Sequence, residues 1–258
     1  MSGLSKDLIC SYIEDAQNRI VVYDVIDSTN AEAKRLAISG EEDAVIIADC
    51  QTEGRGRLGR SFYSPKGNGI YMSFLIKGDF PEEQSVLLTT ATSVIVCRAI
   101  ENTEGIYPQI KWVNDLYLDG KKVCGILAEA IRNSDNDIEY VIIGIGINCE
   151  GEDFPDEIKD IAGSLGGVDR NRLAAAIING MENIKAMIAD NNFIDEYKKR
   201  SLVIGKRINV LNFGIGEAEA IDIDKSGGLV IRTSNGEIKT LSSGEISIRL
   251  CGNNNLNN

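Results

Sequence analysis

The chain has 258 residues, 43% of them hydrophobic and 26% charged, with a formal net charge of −12 and no histidine. That composition suits a globular protein with a sizeable core, and its acidic balance argues against general affinity for nucleic acid or an anionic membrane. Without histidine, Ser-His-Asp and Cys-His nucleophile systems and most catalytic zinc sites are excluded, so chemistry must run on Arg, Lys, Asp, Asn and backbone groups. No apolar run reaches the roughly 18 residues of a membrane span, and the segment from Met1 to Asp7 has no basic stretch leading into an apolar one, so a cytoplasmic location is expected.

Leu4, Leu8, Ile9, Tyr12 and Ile13 recur at helical spacing and predict an amphipathic helix over residues 4–18. A β-rich run covers 20–25, and Asp27-Ser28-Thr29-Asn30 offers N-caps for a helix through Ser39. Residues 44–48 read as a buried strand, 69–76 as another, and 81–101 as a long helix. A short strand is expected at 109–112. Asp119-Gly120 between the β-patterned runs 116–118 and 123–128 is a strong hairpin signal. Residues 140–148 form a further strand, and 170–189 and 191–200 read as helices. Beyond Gly205 the texture changes to short β runs broken by glycine-rich turns, at 207–211, 218–224, 229–233, 238–241 and 246–250. This pattern suggests a small barrel. The expected organisation is a domain over 1–204, a second over 205–252 and a disordered polar tail over 253–258.

The six cysteines, Cys10, Cys50, Cys97, Cys124, Cys149 and Cys251, form no CxxC pair and read as reduced, mostly buried thiols. The chemically richest stretch is Gly54-Arg55-Gly56-Arg57-Leu58-Gly59-Arg60, a basic segment in an acidic chain. Its glycines permit close backbone approach, and its guanidinium groups are permanently charged forks for phosphate or carboxylate. It reads either as a flexible basic surface loop or as a loop that closes over an anion.

Four further segments stand out. Ser28-Thr29-Asn30 is either a simple helix cap or a hydroxyl-and-amide cluster facing a neutral polar head group, with Gln51 able to join it. In Lys111-Trp112-Val113-Asn114-Asp115, the only tryptophan reads as core, and Asn114 and Asp115 mark a strand end where a carboxylate near phosphates would suit Mg²⁺. Lys121-Lys122 is either a solvated pair or, by strand alternation, an outward Lys121 and an inward Lys122. Gly144-Ile145-Gly146-Ile147-Asn148 is either a tightly packed strand or a place where backbone approaches a flat ligand; it lacks the pattern of a Rossmann site.

Taken together, in this order and spacing, these segments resemble the catalytic region of biotin–protein ligases. The resemblance is carried by Asp27–Asn30, Gln51–Arg60, Ser64-Pro65, Lys111–Asp115, Lys122–Leu127 and Gly144–Asn148. It implies a mixed-sheet α/β catalytic domain of the class II aminoacyl-tRNA synthetase and biotin ligase type, followed by an SH3-like small β-barrel. It implies ATP, Mg²⁺ and biotin, a biotinyl-5′-AMP intermediate, and transfer to a lysine of a biotin carboxyl carrier protein domain. Ser28, Thr29 and Gln51 would bind the biotin ureido ring, with Asn30, Gly54 and Gly125 on the same side. Arg55 and Arg57 would contact biotin carboxylate and phosphates, and Lys122 would sit at the reacting carboxylate and α-phosphate. Asn114 and Asp115 would organise the nucleotide and metal side, with Arg60, Phe62 and Asn148 toward the nucleotide. Asp115 is also the candidate base for the acceptor lysine.

Three positions depart from the family pattern. Val113 stands where proline is frequent and should loosen a turn; Phe62-Tyr63 stand where tryptophan is common; Leu58 stands where another arginine occurs. With about 20 residues ahead of the first catalytic strand, a winged helix-turn-helix is not expected, so neither is DNA binding. A homodimer through exposed sheet edges is expected by analogy, and Lys66, Lys121 and Lys122 are the nearby cations for an acidic carrier. The competing readings are a lipoate or octanoate ligase and a non-catalytic biotin sensor.

Overall fold

The computed structural model describes residues 3–14, 19–78, 85–151, 153–211, 214–242 and 248–250. A seven-stranded sheet in the order β1-β2-β3-β7-β6-β5-β4 carries the larger part of the chain. Its strands are β1 (Arg19–Tyr23), β2 (Ala44–Ala48), β3 (Gly69–Lys77), β4 (Gln109–Lys111), β5 (Asp115–Leu118), β6 (Lys121–Arg132) and β7 (Ile138–Asn148). Only β1 and β2 run parallel; the other neighbours are antiparallel. The β5–β6 turn is the expected hairpin, with Asp119 at φ 50° and Gly120 at φ 80°, the left-handed pair that Asp-Gly supplies.

Strand alternation divides the sheet into two unlike faces. Val45, Ile47, Ile70, Met72, Phe74, Ile143, Ile145 and Ile147 point into the main core, against the long helix α3 (Ser85–Glu104) and α4 (Arg170–Met181). Because α3 is buried along most of its length, its hydroxyls bond inward: Thr90, Thr92 and Ser93 each donate to the carbonyl four residues back, at 3.0, 2.7 and 2.9 Å. On the opposite face, α2 (Thr29–Ile38) lays Ala33 and Ala37 on Ala44, Ile46, Leu75 and Ile142. That small-residue contact lets α2 sit close to the strands. Its N-terminus begins partway along the face, so the rest of the face, toward Gly125 and Gly146, is left uncovered by the helix.

Some element limits differ from expectation. Helix α1 covers Lys6–Ser11 rather than 4–18; the apolar repeat outlasts the helix because Ile13 packs on the core from a loop, and residues 15–18 lie outside the described ones. The expected helix over 170–189 is broken into α4 and α5 (Ile184–Asp190), since Asn183 leaves helical geometry at φ −97° and ψ 11°. Helix α6 (Ile194–Lys199) is correspondingly shorter than 191–200. In the C-terminal part, β8 (Arg207–Val210), β9 (Gly216–Ile223), β10 (Leu229–Thr233), β11 (Ile238–Leu241) and β12 (Ile248–Leu250) form one antiparallel sheet. Its order is β11-β10-β9-β8-β12. Cys251 and the 253–258 tail lie outside the described residues. Burial pushes the Cys97 and Cys149 thiols up to about 12, which keeps them protonated and unreactive.

One buried ion pair ties the sheet to α4. Arg170 donates to Asp49 Oδ1 at 2.5 Å and to the Gly69 carbonyl at 3.1 Å, with both side chains nearly inaccessible. Asp49→Ala should therefore lower unfolding stability by about 3–5 kcal/mol, because a charged guanidinium is left buried without its counter-ion. Calorimetric unfolding checks this, and a loss under about 1 kcal/mol would mean that water replaces the carboxylate.

Candidate functional site

The open face is floored by glycine. Register places Lys111 opposite Asp115, Asp115 opposite Gly125, Gly125 opposite Gly146 and Gly146 opposite Tyr71, forming one row across the sheet. The next row runs through Leu127, Gly144 and Ser73. Side chains are therefore missing where two strands meet, which leaves a slot. A Cβ at Gly146 would lie 2.6 Å from the Phe62 ring, and one at Gly144 would lie 2.2 Å from Asn30 Oδ1. Phe62, in edge contact with Tyr71 at 6.3 Å between centroids, thus covers the middle of the floor. Its ring borders the slot between the α2 end and Lys122.

At the α2 end lies a buried polar cluster. Ser28 Oγ caps the helix by accepting from Ala31 N at 3.4 Å. Thr29 donates to Gln51 Oε1 from its backbone N–H at 2.8 Å and lies 3.1 Å from it through Oγ1. Gln51 Nε2 donates to Ser64 Oγ at 3.0 Å. Ser73 Oγ sits 2.7 Å from Thr29 Oγ1 and 2.6 Å from Asn30 Oδ1, while Asn30 Nδ2 donates to Glu129 Oε2 at 2.6 Å. Capping and pocket-building are thus the same structural act. Gly54 belongs here too, since a Cβ on it would meet the Phe62 carbonyl at 2.4 Å and Ser64 Oγ at 2.6 Å.

At the opposite end the cations gather. Lys122 Nζ lies 2.6 Å from Asp115 Oδ1, an ion contact rather than an aligned hydrogen bond. Lys122 is half-buried, with 32% of its side chain exposed, and Lys121 and Lys66 are exposed, so Lys121 points outward and Lys122 inward. Arg57 Nη1 donates to Asn114 Oδ1 at 2.6 Å, and Asn114 Nδ2 donates to the Ile126 carbonyl at 2.8 Å. Burial lowers the Arg57 pKa and Asp115 opposes that shift, but an arginine remains charged. The rest of the basic loop is a tight turn, with Leu58 at φ 57°, Gly56 N–H donating to the Arg60 carbonyl at 2.7 Å, and Arg55, Leu58 and Arg60 exposed. Together with Val86, Val113, Leu127 and Glu129, the loop surrounds a cavity of about 720 Å³.

The Val113 turn is held rather than loosened: Val113 is buried and its carbonyl accepts from Tyr197 Oη at 3.2 Å. The Trp112–Val113 peptide is cis. Trp112 is core, as expected. Asn148 is half-buried and donates to the Gly163 carbonyl at 2.9 Å, so its amide is fixed at the end of the slot. No cluster of three or more metal-ligating side chains occurs among the described residues. Asp115 is one carboxylate, which suits a Mg²⁺ ion brought in on phosphates and otherwise held by phosphate oxygens and water.

Sequence reasoning missed Ser73, Glu129 and Tyr197, each of which fixes a residue it had singled out, and gave Ser64 no role of its own although Ser64 Oγ accepts from Gln51. Lys111, inside a noted motif, received no role although register brings it opposite Asp115. Only the alternation of β3 and β6 carried any signal for Ser73 and Glu129: each breaks an apolar run on the face that the glycines occupy.

A neutral hydrogen-bonding head pocket, a glycine floor and paired cations beneath a basic loop together define an acid-activating ligase, in which two anions are brought together. Residues 22–148 match the biotin/lipoate A/B protein ligase family and residues 203–249 match the biotin protein ligase C-terminal domain. The chain is 37% identical over 242 residues to the bifunctional ligase/repressor BirA of Bacillus spizizenii, covering 89% of this chain and 74% of that protein. It is 31% identical over 234 residues to the biotin–[acetyl-CoA-carboxylase] ligase of Mycobacterium tuberculosis, covering 85% of each. It is also similar to the Aquifex aeolicus biotin protein ligase solved with biotin and ATP, at 33% identity and a TM-score of 0.75, covering 90% of this chain and 99% of that one. The chain belongs to the biotin/lipoate A/B protein ligase family, as a member that also carries the biotin protein ligase C-terminal domain.

Proposed function

We propose that this protein activates biotin with ATP as biotinyl-5′-AMP and transfers it to a lysine of a biotin carboxyl carrier protein domain. The observation that carries this reading is the pairing of the Ser28–Thr29–Gln51 cluster with Lys122 and Arg57 at opposite ends of one glycine floor. A ureido ring both donates and accepts, and the cluster offers hydroxyls and an amide in return. In the first step a biotin carboxylate oxygen bonds to the α-phosphorus and the bond to the β-phosphate oxygen breaks, releasing pyrophosphate. Both reactants are anions, so the barrier falls when fixed cations neutralise them and hold them in line. Lys122 and Arg57 supply that charge, with Arg55 and Arg60 added from the loop. No general base is required, because the carboxylate is already ionised, which fits a chain without histidine. Mg²⁺, arriving with the nucleotide, adds phosphate charge neutralisation, and Asp115 is the residue to hold it.

In the second step the acceptor amine attacks the carbonyl and AMP leaves, with the same cations supporting the departing phosphate. Asp115 is the proposed proton acceptor for that amine. The unit boundaries at 204–205 and 252–253, a cytoplasmic location and self-association through a free sheet edge belong to the same proposal; no helix among the described residues is long and apolar enough to cross a membrane. Ligand-dependent exchange of labelled pyrophosphate into ATP tests it. Exchange with biotin is expected. Exchange with lipoate or octanoate instead would assign the sister activity, and biotin binding without exchange would make the protein a sensor.

A further inference from the structure

The head cluster consists of two hydrogen-bond chains, each ending on a group that can only accept. At one end is Glu129 of β6, half-buried on the cavity wall. As a carboxylate it offers no hydrogen, so Asn30 turns its Nδ2 toward Glu129 Oε2, at 2.6 Å. Asn30 Oδ1 is left facing Ser73 Oγ at 2.6 Å. That separation requires a hydrogen between the two oxygens, and only Ser73 can supply it. Ser73 has a single hydroxyl hydrogen, so at its 2.7 Å contact with Thr29 Oγ1 the hydrogen must come from Thr29. At the other end Ser64 Oγ donates to the Phe62 carbonyl at 2.9 Å and accepts from Gln51 Nε2 at 3.0 Å. Gln51 Oε1 is thereby turned to the Thr29 N–H, at 2.8 Å. The two chains run apart from the middle. There Thr29 Oγ1 and Gln51 Oε1 lie 3.1 Å from each other, both as acceptors, with the Thr29 hydroxyl hydrogen already committed to Ser73. Ser73, Thr29 and Asn30 are all buried, which leaves the sense of the chain to protein groups.

We infer that Glu129 is a positioning residue that sets the sense of this chain, so that the head pocket presents a pair of acceptors and selects a ligand head with an N–H at that point. This rests on the adenylating reading above, in which the head is a cyclic urea. The effect of Glu129 passes through Asn30 and Ser73 to Thr29. Without an acceptor at position 129 the Asn30 amide is free to turn over. Its Nδ2 then donates to Ser73, Ser73 to Thr29 and Thr29 to Gln51, and the acceptor pair closes on itself with a hydrogen in the gap. A lipoyl or octanoyl head has no N–H and gains nothing from the pair, whereas a ureido N–H satisfies it.

The test titrates the full chain calorimetrically with biotin and with the two biotin analogues in which one or other ureido N–H is replaced by a ring oxygen. The parent chain should bind one of the analogues about 10²-fold more weakly than biotin, because an oxygen then faces two oxygens. Glu129→Met replaces the carboxylate with an apolar group of similar length. It should weaken biotin binding about 10-fold and narrow the preference over that analogue to under about fivefold. Glu129→Gln, whose amide oxygen can still accept from Asn30, should keep the preference and bind biotin within about threefold of the parent. A merely structural role would weaken biotin and the analogue equally. That result in Glu129→Met, or parent-like binding by it, would overturn the inference, as would loss of the preference in Glu129→Gln. A parent chain that binds biotin with the preference but shows no exchange would instead overturn the proposed adenylation while leaving the role of Glu129 decided, and no biotin binding at all would overturn both.

Discussion

Replacing Lys122 with methionine is expected to cut biotin-dependent pyrophosphate exchange by about 10²–10³, the loss typical of removing one group aimed at developing charge. The effect has two parts. The ammonium proposed to neutralise the meeting carboxylate and phosphate disappears, and Asp115, whose Oδ1 lies 2.6 Å from Lys122 Nζ, becomes an uncompensated negative charge beside the two anionic reactants. The second part is separable. Adding Asp115→Asn to Lys122→Met should recover part of the loss, because the repulsion goes while the missing cation stays missing. The phosphates are bound mainly by the remaining cations and the metal, so the defect should fall on turnover more than on nucleotide KM. Exchange rates for the single and double variants across an ATP series measure both predictions. A single variant within about threefold of the parent would remove Lys122 from the reaction centre.

Much of this arrangement is legible locally. An all-apolar run such as Ala44–Ala48 has one stable place, the middle of a sheet covered on both faces; Asp119-Gly120 dictates its turn; Ser28 announces the helix that it caps. The inward aim of Lys122 was also expected, though simple alternation does not produce it. Gly125 faces the slot, so a regular strand would turn Val123 to the same side and Lys122 away. A register shift between Leu116 and Tyr117 sets Lys122 opposite Tyr117, on the face of Asp115, while Val123 and Cys124 are both buried. Nothing in the order of residues 115–125 marks that bulge; it is settled by how β5 and β6 pack on the core. Ser73, Glu129 and the resting place of Phe62 are hidden for a related reason: each acquires its role from a strand pairing or loop return across more than ten residues of chain. The helix break at Asn183 and the early end of α1 follow the same logic, since the apolar spacing continues where the hydrogen bonding does not.

Gly144→Ala should be the most damaging single methyl group in the proposed biotin pocket. The added Cβ would fall 2.2 Å from Asn30 Oδ1, 2.9 Å from Asn30 Cγ and 3.0 Å from Nδ2, so the whole amide stands in its way. Asn30 cannot step aside cheaply. It is buried at 6% exposure, its carbonyl oxygen is 2.6 Å from Ser73 Oγ and its nitrogen donates to Glu129 at 2.6 Å. Displacing it disturbs Ser73, which in turn contacts Thr29 at 2.7 Å, and Thr29 is held by Gln51. One methyl group thus reaches every member of the head pocket. Biotin binding is expected to weaken by about 10²-fold, the scale of roughly two lost buried hydrogen bonds, with about 1–3 kcal/mol lost from unfolding stability through overpacking. MgATP binding should change less than biotin binding, because the bonds that hold the crowded Asn30 amide run to Ser73 and Glu129 while Arg57 and Asn114 bond to each other. Gly146→Ala provides the contrast: its Cβ would meet the Phe62 ring at 2.6 Å, but Phe62 is half-buried and closes a loop rather than a network, so its ring can swing and the loss of biotin affinity should be several-fold smaller. Calorimetric titration of both variants with biotin decides the order. Parent-like biotin affinity in Gly144→Ala would show that Asn30 is not a wall of the pocket, and a larger loss in Gly146→Ala would place the Phe62 ring, rather than the α2 cluster, in control of it.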